Sequence, residues 1–279
     1  MAGFNSRLAA LEGGSVALLG LPFDANSSFA RGPALAPARL REVLYSASGN
    51  WFTEAGREVA PPGGWMDLGD LDIPGEPGYR REIEEAARAV LDRGGIPLAI
   101  GGDHSVSYPL IRAVASAAGP ARIVHLDAHG DLYDVLDGNR YSHATPFARV
   151  MEDGAASGLV QIGVRSLTRH QREQAQRFGV EQLEMRHFDL LRVVESLPAG
   201  PVYLSVDLDV LDPAFAPGVS HHEPGGMSVR ELLAILHALE GPIIAADVVE
   251  LNPLRDQAGI TASVAAKVVR ELLGIMLPE

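Results

Sequence analysis

Asp207 and Asp209 stand two residues apart in Pro201-Val202-Tyr203-Leu204-Ser205-Val206-Asp207-Leu208-Asp209-Val210-Leu211-Asp212-Pro213. Val202, Tyr203, Leu204, Val206, Leu208 and Val210 read as a strand buried on both faces, and Pro213 cannot continue its ladder. Along an extended strand the two carboxylates leave the same face. Acids crowded at a buried strand end repel each other and lose hydration, so the pair calls for a cation beside or between its members.

A second run, Ile123-Val124-His125-Leu126-Asp127-Ala128-His129-Gly130-Asp131, has the same design. Asp127, His129 and Asp131 share a face if the extended conformation holds through Asp131. A third, Leu98-Ala99-Ile100-Gly101-Gly102-Asp103-His104-Ser105, is an apolar strand, a Gly-Gly turn and an Asp-His-Ser helix start. In an open α/β sheet such strand ends meet in one crevice. Carboxylates with a minority of imidazole and no thiolate suit Mn²⁺, while zinc, cobalt and nickel stay open. The acids outnumber the needs of one ion, which favours two bridged ions. The plainer alternative makes each acidic strand end a helix cap or turn.

The composition narrows the function classes. A net charge of −13 argues against nucleic acid and anionic membranes as partners. The absence of cysteine removes disulfides, thiolate zinc and cysteine nucleophiles, and fits the cytoplasm. No stretch has the length of a membrane span, and Val16 to Leu21 is too short for a signal peptide's apolar region.

Apolar runs predict strands at Ser15 to Phe23, Trp65 to Asp72, Ile96 to Ile100, Leu159 to Val164, Val180 to Met185 and Ile243 to Val249, beside the two acidic ones. Helical spacing predicts helices to about Ser46, over Tyr79 to Arg93, Val106 to Ala118, Phe147 to Gly154, Arg169 to Phe178 and Ser228 to Leu239, and from about Ala258 to Met276. Ser228 with Glu231 makes a capping box. Two long polar loops, Leu132 to Pro146 and Ala214 to Met227, stand beside the acidic strand ends, where loops often carry function. The alternation runs from end to end, so residues 1–279 are expected to form one α/β domain.

Gly101-Gly102-Asp103-His104-Ser105, Asp127-Ala128-His129-Gly130-Asp131 and Ser205-Val206-Asp207-Leu208-Asp209-Val210-Leu211-Asp212-Pro213, in that order, give the chain a resemblance to the ureohydrolases. That family includes arginase, agmatinase, guanidinobutyrase, proclavaminate amidinohydrolase and formiminoglutamase. The resemblance covers nearly the whole chain. It implies a three-layer αβα sandwich with a central, mainly parallel sheet and a centre of two Mn²⁺ ions that makes water nucleophilic near neutral pH. It also implies a homotrimer or homohexamer.

Carried over residue by residue, the resemblance assigns one ion to His104, Asp127, Asp131 and Asp207. The other falls to Asp127, His129, Asp207 and Asp209, with Asp127 and Asp207 bridging. Asp103 and Asp212 would support ligands or cap turns. His143, in Tyr141-Ser142-His143-Ala144-Thr145-Pro146-Phe147, would pass a proton to the departing amine, and Glu250 would pair with the guanidinium. Ala144 stands where the family usually has Gly. Substrate contacts are expected from Asn139, Ser142, His222 and Glu223. The two sides of the pocket point to different subfamilies: Asp134, Asn139 and Tyr141 are agmatinase-like, while Pro217-Gly218-Val219-Ser220 is formiminoglutamase-like. The presence of His143 argues against formiminoglutamate. The expected reaction is hydrolysis of a small guanidino compound to urea and an amine, agmatine first, then arginine, guanidinobutyrate and formiminoglutamate. A metal-binding relative without turnover is the reading from another class. His125 is expected to be a packed, hydrogen-bonded residue.

Overall fold

The structure is a computed structural model that describes residues 2–61 and 63–277. Its centre is an eight-stranded sheet: β1 (Val16–Gly20), β2 (Trp65–Asp70), β3 (Ile96–Ile100), β4 (Ala121–Leu126), β5 (Ala156–Ile162), β6 (Glu181–Leu183), β7 (Val202–Asp207) and β8 (Ile243–Val249). The spatial order is β2-β1-β3-β8-β7-β4-β5-β6, and every pair is parallel. All-parallel sheets need both faces covered, which is why the central strands are apolar throughout rather than alternating. All residues of β1 and β7 are buried.

The helices are α1 (Ala2–Ala9), α2 (Ala36–Leu44), α3 (Tyr79–Leu91), α4 (Ser107–Ala118), α5 (Pro146–Glu152), α6 (Arg169–Phe178), α7 (Leu190–Ser196), α8 (Val229–His237) and α9 (Ile260–Met276). One core unites α2, α7, α8 and α9 with one face of the sheet. A second unites α1, α3, α4, α5 and Ala175 of α6 with the other. The architecture is therefore the expected αβα sandwich, with a wholly parallel sheet. Helix α3 shows the local logic: Ile83, Ala87 and Val90 recur at helical spacing and are buried. The capping box of Ser228 and Glu231 forms at the start of α8, and a second, Thr168 with Gln171, starts α6.

Two expectations about chain path are corrected. Strand β4 ends at Leu126, and the backbone does not stay extended through Asp131, which has φ +48°. Strand β7 ends at Asp207, and Leu208–Val210 form a 3-10 turn. The cause is local. The Asp127 carboxylate accepts from the amide of His129 at 2.6 Å, and the Asp207 carboxylate from the amide of Asp209 at 2.8 Å. Each side chain takes a backbone donor that a ladder would have used. The short helices α1 and α7 were not foreseen from sequence. No helix among the described residues is long and apolar enough to cross a membrane.

Candidate metal centre

The four adjacent central strands β3, β8, β7 and β4 deliver their carboxyl ends to one crevice, as the geometry of open α/β sheets requires. After β3 the chain turns through Gly101 and Gly102. A side chain on Gly102 would lie 1.7 Å from the Phe23 carbonyl oxygen, so only glycine permits this approach. Asp103 then caps the turn that carries His104, accepting from the Ser105 amide at 3.1 Å. Its other oxygen accepts from the Asn26 amide at 2.9 Å, and burial with the nearby Glu250 pushes its pKa up to about 6.

His104, Asp127, His129, Asp131, Asp207 and Asp209 are brought together. His104 Nδ1 lies 3.3 Å from Asp127, 3.1 Å from Asp131 and 3.2 Å from Asp207. His129 Nδ1 lies 3.4 Å from Asp127 and 3.0 Å from Asp209. Asp127 thus turns one oxygen to each imidazole, the arrangement of a bridging ligand. Asp207 turns one oxygen to His104 and gives the other to the Asp209 amide.

The electrostatics follow from crowding four carboxylates and two imidazoles into a buried crevice. Burial, with the neighbouring charges of Asp209 and Asp127, drives the Asp207 carboxyl well above its ordinary range. Burial raises Asp209 to about 6 despite the opposing His129. The two imidazoles, though burial opposes their charge, are held well above theirs by the surrounding carboxylates. His104 Nδ1 is buried with no hydrogen-bond partner. Four carboxylates and two imidazoles with an orphaned nitrogen fit divalent cations, and both His104-His125-Asp127 and Asp127-His129-Asp209 are compact enough to hold one. His125 is nevertheless packed and bonded: Nε2 meets Asp127 at 2.8 Å and Nδ1 meets the Gln161 amide nitrogen at 3.0 Å.

Beside the cluster lies a cavity of about 190 Å³. Ser28, His129, Asp131, His143, Asp207, Asp209, His221 and Glu250 line it, together with Tyr133, Leu136, Thr168 and Gln171. Glu250 has φ +65°, a strained value for a side-chain-bearing residue that is typical of functional positions. Its Oε1 accepts from the His104 amide at 2.9 Å and lies 3.1 Å from His143 Nδ1. Its Oε2 is buried without a partner. Against the effect of burial, Glu250 raises His143 to about 9, and His143 in turn holds Glu250 below its ordinary value. His143 Nε2 meets Ser28 Oγ at 2.9 Å.

The expected substrate contacts divide. Glu223 is not among the lining residues, though its Oε1 lies 3.9 Å from His129 Nε2. Asn139, Ser142 and His222 do not reach the cavity wall. Asn139 is occupied in tying its loop to Asn26 at 2.9 Å and to the Tyr141 amide at 2.8 Å. Ser142 is buried beneath, facing its own turn. His222 is exposed and donates to the Pro217 carbonyl at 2.7 Å. Its neighbour His221 takes the inward place, its ring centroid 5.0 Å from that of His143 and 6.0 Å from that of His129. Nothing in the pair His221-His222 tells which one turns in.

Arg165 is the other residue the sequence did not single out. Its guanidinium donates to the carbonyls of Asp209 at 2.7 Å, Val210 at 3.1 Å, Leu211 at 3.2 Å and Glu223 at 2.6 Å. It therefore fastens the loop before α8 to the turn that carries Asp209. Arg165→Met, which keeps the apolar stem, should cost about 3 kcal/mol, because hydrogen bonds to a charged donor are worth roughly 1.5–3 kcal/mol each and are not additive. A thermal melt should show this as a fall of roughly 6–12 °C in Tm. A change under about 2 °C would mean the fastening carries no weight.

The Arginase family profile matches residues 14–274. The chain belongs to the Arginase family. It is 51% identical over 273 residues to Arginase 1, mitochondrial, of Oryza sativa subsp. indica, covering 92% of this chain and 80% of that protein. It is 34% identical over 271 residues to the Agmatinase of Bacillus anthracis, covering 94% and 92%. The solved Arginase from Medicago truncatula superposes with a TM-score of 0.91 at 44% identity, over 99% of this chain and 94% of that one. Membership makes the chain a metal-dependent amidinohydrolase. The placing of agmatine ahead of arginine is not supported, since the arginase matches are stronger than the agmatinase match.

Proposed function

We propose that the protein hydrolyses the guanidino group of arginine to urea and ornithine, with two Mn²⁺ ions held by His104, Asp127, His129, Asp131, Asp207 and Asp209. The observation that carries this reading is Glu250 Oε2, a buried acceptor without a partner on the wall of the cavity beside the carboxylate cluster. A planar guanidinium offers paired N–H donors and a positive charge, which satisfy such an oxygen. Two such ions, held by these residues, would supply acidified water as nucleophile and neutralise the carboxylates. The oxygen-rich donor set favours Mn²⁺ among the divalent ions. His143, whose pKa Glu250 raises to about 9, would give its proton to the departing amine, a role its contact with Glu250 supports. The strength of the arginase likeness favours arginine over agmatine.

Urea release from Mn²⁺-loaded protein tests the substrate. Arginine should be preferred over agmatine and guanidinobutyrate by about 100-fold or more in kcat/KM, a discrimination of about 2.7 kcal/mol. Formiminoglutamate, followed by formamide release, should be inert. Equal turnover of agmatine would overturn the assignment while leaving the hydrolytic centre intact.

A further inference from the structure

Asp247 is a buried carboxylate that none of the roles above employs. It lies in β8, fully enclosed, and its register partner on β7 is Ser205. Its partners are two hydroxyls. Ser205 Oγ donates to Asp247 Oδ1 at 2.6 Å, and Tyr203 donates to Oδ2. Burying a carboxylate with only neutral donors is costly, so its retention in the core asks for a reason. The same Ser205 oxygen lies 2.9 Å from His104 Nε2. Three neighbouring strands, β8, β7 and β3, thus contribute to one line of polar groups that ends at the candidate metal centre.

Proton counting orders this line. The Ser205 hydroxyl has a single proton, and it is donated to Asp247 Oδ1. The Ser205 oxygen must then accept from an N–H on His104 Nε2. Whenever the ring is neutral, Nδ1 is therefore bare, and Nδ1 is the atom that faces Asp127, Asp131 and Asp207. A lone pair among three carboxylates serves a cation. The edge of Phe147 against the ring, with centroids 5.3 Å apart and planes at 90°, limits its rotation.

We propose that Asp247 and Ser205 are positioning residues that set the tautomer and ring orientation of His104 for a divalent ion. The inference rests on the metal-centre reading and is independent of the substrate. Mn²⁺ binding to the full-length protein, counted by elemental analysis and titrated by electron paramagnetic resonance, tests it without recourse to activity. The wild-type protein should bind two ions. Ser205→Ala and Asp247→Asn should weaken one of them about 10–100-fold, the usual effect of losing a partner behind a metal-ligating histidine, and leave the other nearly unchanged. Tyr203→Phe is the control. It removes the second donor to Asp247 but leaves the line to His104, so it should lower Tm and preserve both affinities. Unchanged binding of both ions in Ser205→Ala and Asp247→Asn would overturn the proposal, as would an equal loss in Tyr203→Phe, which would point to packing alone. A wild-type protein that binds no ion would end the metal reading itself, and this one with it.

Discussion

Asp207→Ala is expected to abolish urea release and the binding of both ions, and yet to yield a metal-free protein more stable than metal-free wild type. Asp207 is one of four carboxylates gathered within a buried crevice, and it shares the His104 imidazole with Asp127 and Asp131. Without a cation its charge is opposed by burial and by Asp209 and Asp127, which is why its pKa stands well above the ordinary value. A carboxyl whose folded pKa is raised contributes stability below its unfolded pKa, near 3.9, and loses it as pH rises. At neutral pH it is thus a burden on the ion-free fold. Divalent ions reverse this by neutralising the cluster. The wild-type Tm should therefore rise on adding Mn²⁺, by the linkage of binding to folding, and the Asp207→Ala Tm should not. Turnover should fall by at least about 10³-fold, beyond the 10–100-fold typical of partners outside the ligand shell. An Asp207→Ala protein that still binds two ions and releases urea would refute the assignment of Asp207 as a bridging ligand.

The sequence made the sheet legible because buried parallel strands have no alternative reading. Apolar runs such as Val202 to Val206 and Ile96 to Ile100 are too short and too β-branched for helices. The acids at their ends were legible for a related reason, since nothing in an apolar core explains Asp127 or Asp207. The geometry offered for them was nevertheless wrong in detail. Alternation along a strand was expected to align Asp127 with His129 and Asp207 with Asp209. Instead each first aspartate accepts the amide of the residue two positions on, and the chain curls so that the second side chain returns to the centre. The i, i+2 spacing fits a strand face and such a turn equally, so it pointed to residues that the fold gathers without giving the backbone path. Glu250 shows a further limit: its positive φ, which accompanies its place between His104 and His143, has no signature in Val249-Glu250-Leu251. The pocket-side residues were the least legible. Asn139 and Ser142 have polar groups suited to a substrate, and the fold spends them on Asn26 and on the loop's own amides. Arg165 reads as an ordinary charge at a strand end, and only the fold shows the carbonyls converging on it.

Glu250→Gln separates recognition of the guanidinium from metal binding. The amide keeps the size of the carboxylate and can still accept from the His104 amide, but it carries no charge. A substrate guanidinium bound against it is left as a buried cation without its counter-charge, a loss of about 3–5 kcal/mol. At about 1.4 kcal/mol per decade, kcat/KM for a guanidino substrate should fall about 10²- to 10⁴-fold. The Mn²⁺ content should remain at the wild-type level, because the carboxylate touches the His104 backbone rather than the cluster. The pH profile should move as well. Burial lowers the His143 pKa and Glu250 more than offsets it, holding the imidazole protonated to about pH 9. In the proposed role of proton donor, His143 should give wild-type activity an alkaline limb near that value. In Glu250→Gln burial is opposed only by the charges of Asp131 and Asp103, so the limb should shift to lower pH. The stability linkage has the same sign: the contribution of His143 is complete below its unfolded pKa near 6.5 and is lost as pH rises through about 9, and the variant loses that window. Loss of an ion in Glu250→Gln would instead make the residue part of the metal centre. A decline of less than tenfold with an unmoved alkaline limb would leave neither guanidinium pairing nor the coupling to His143 standing.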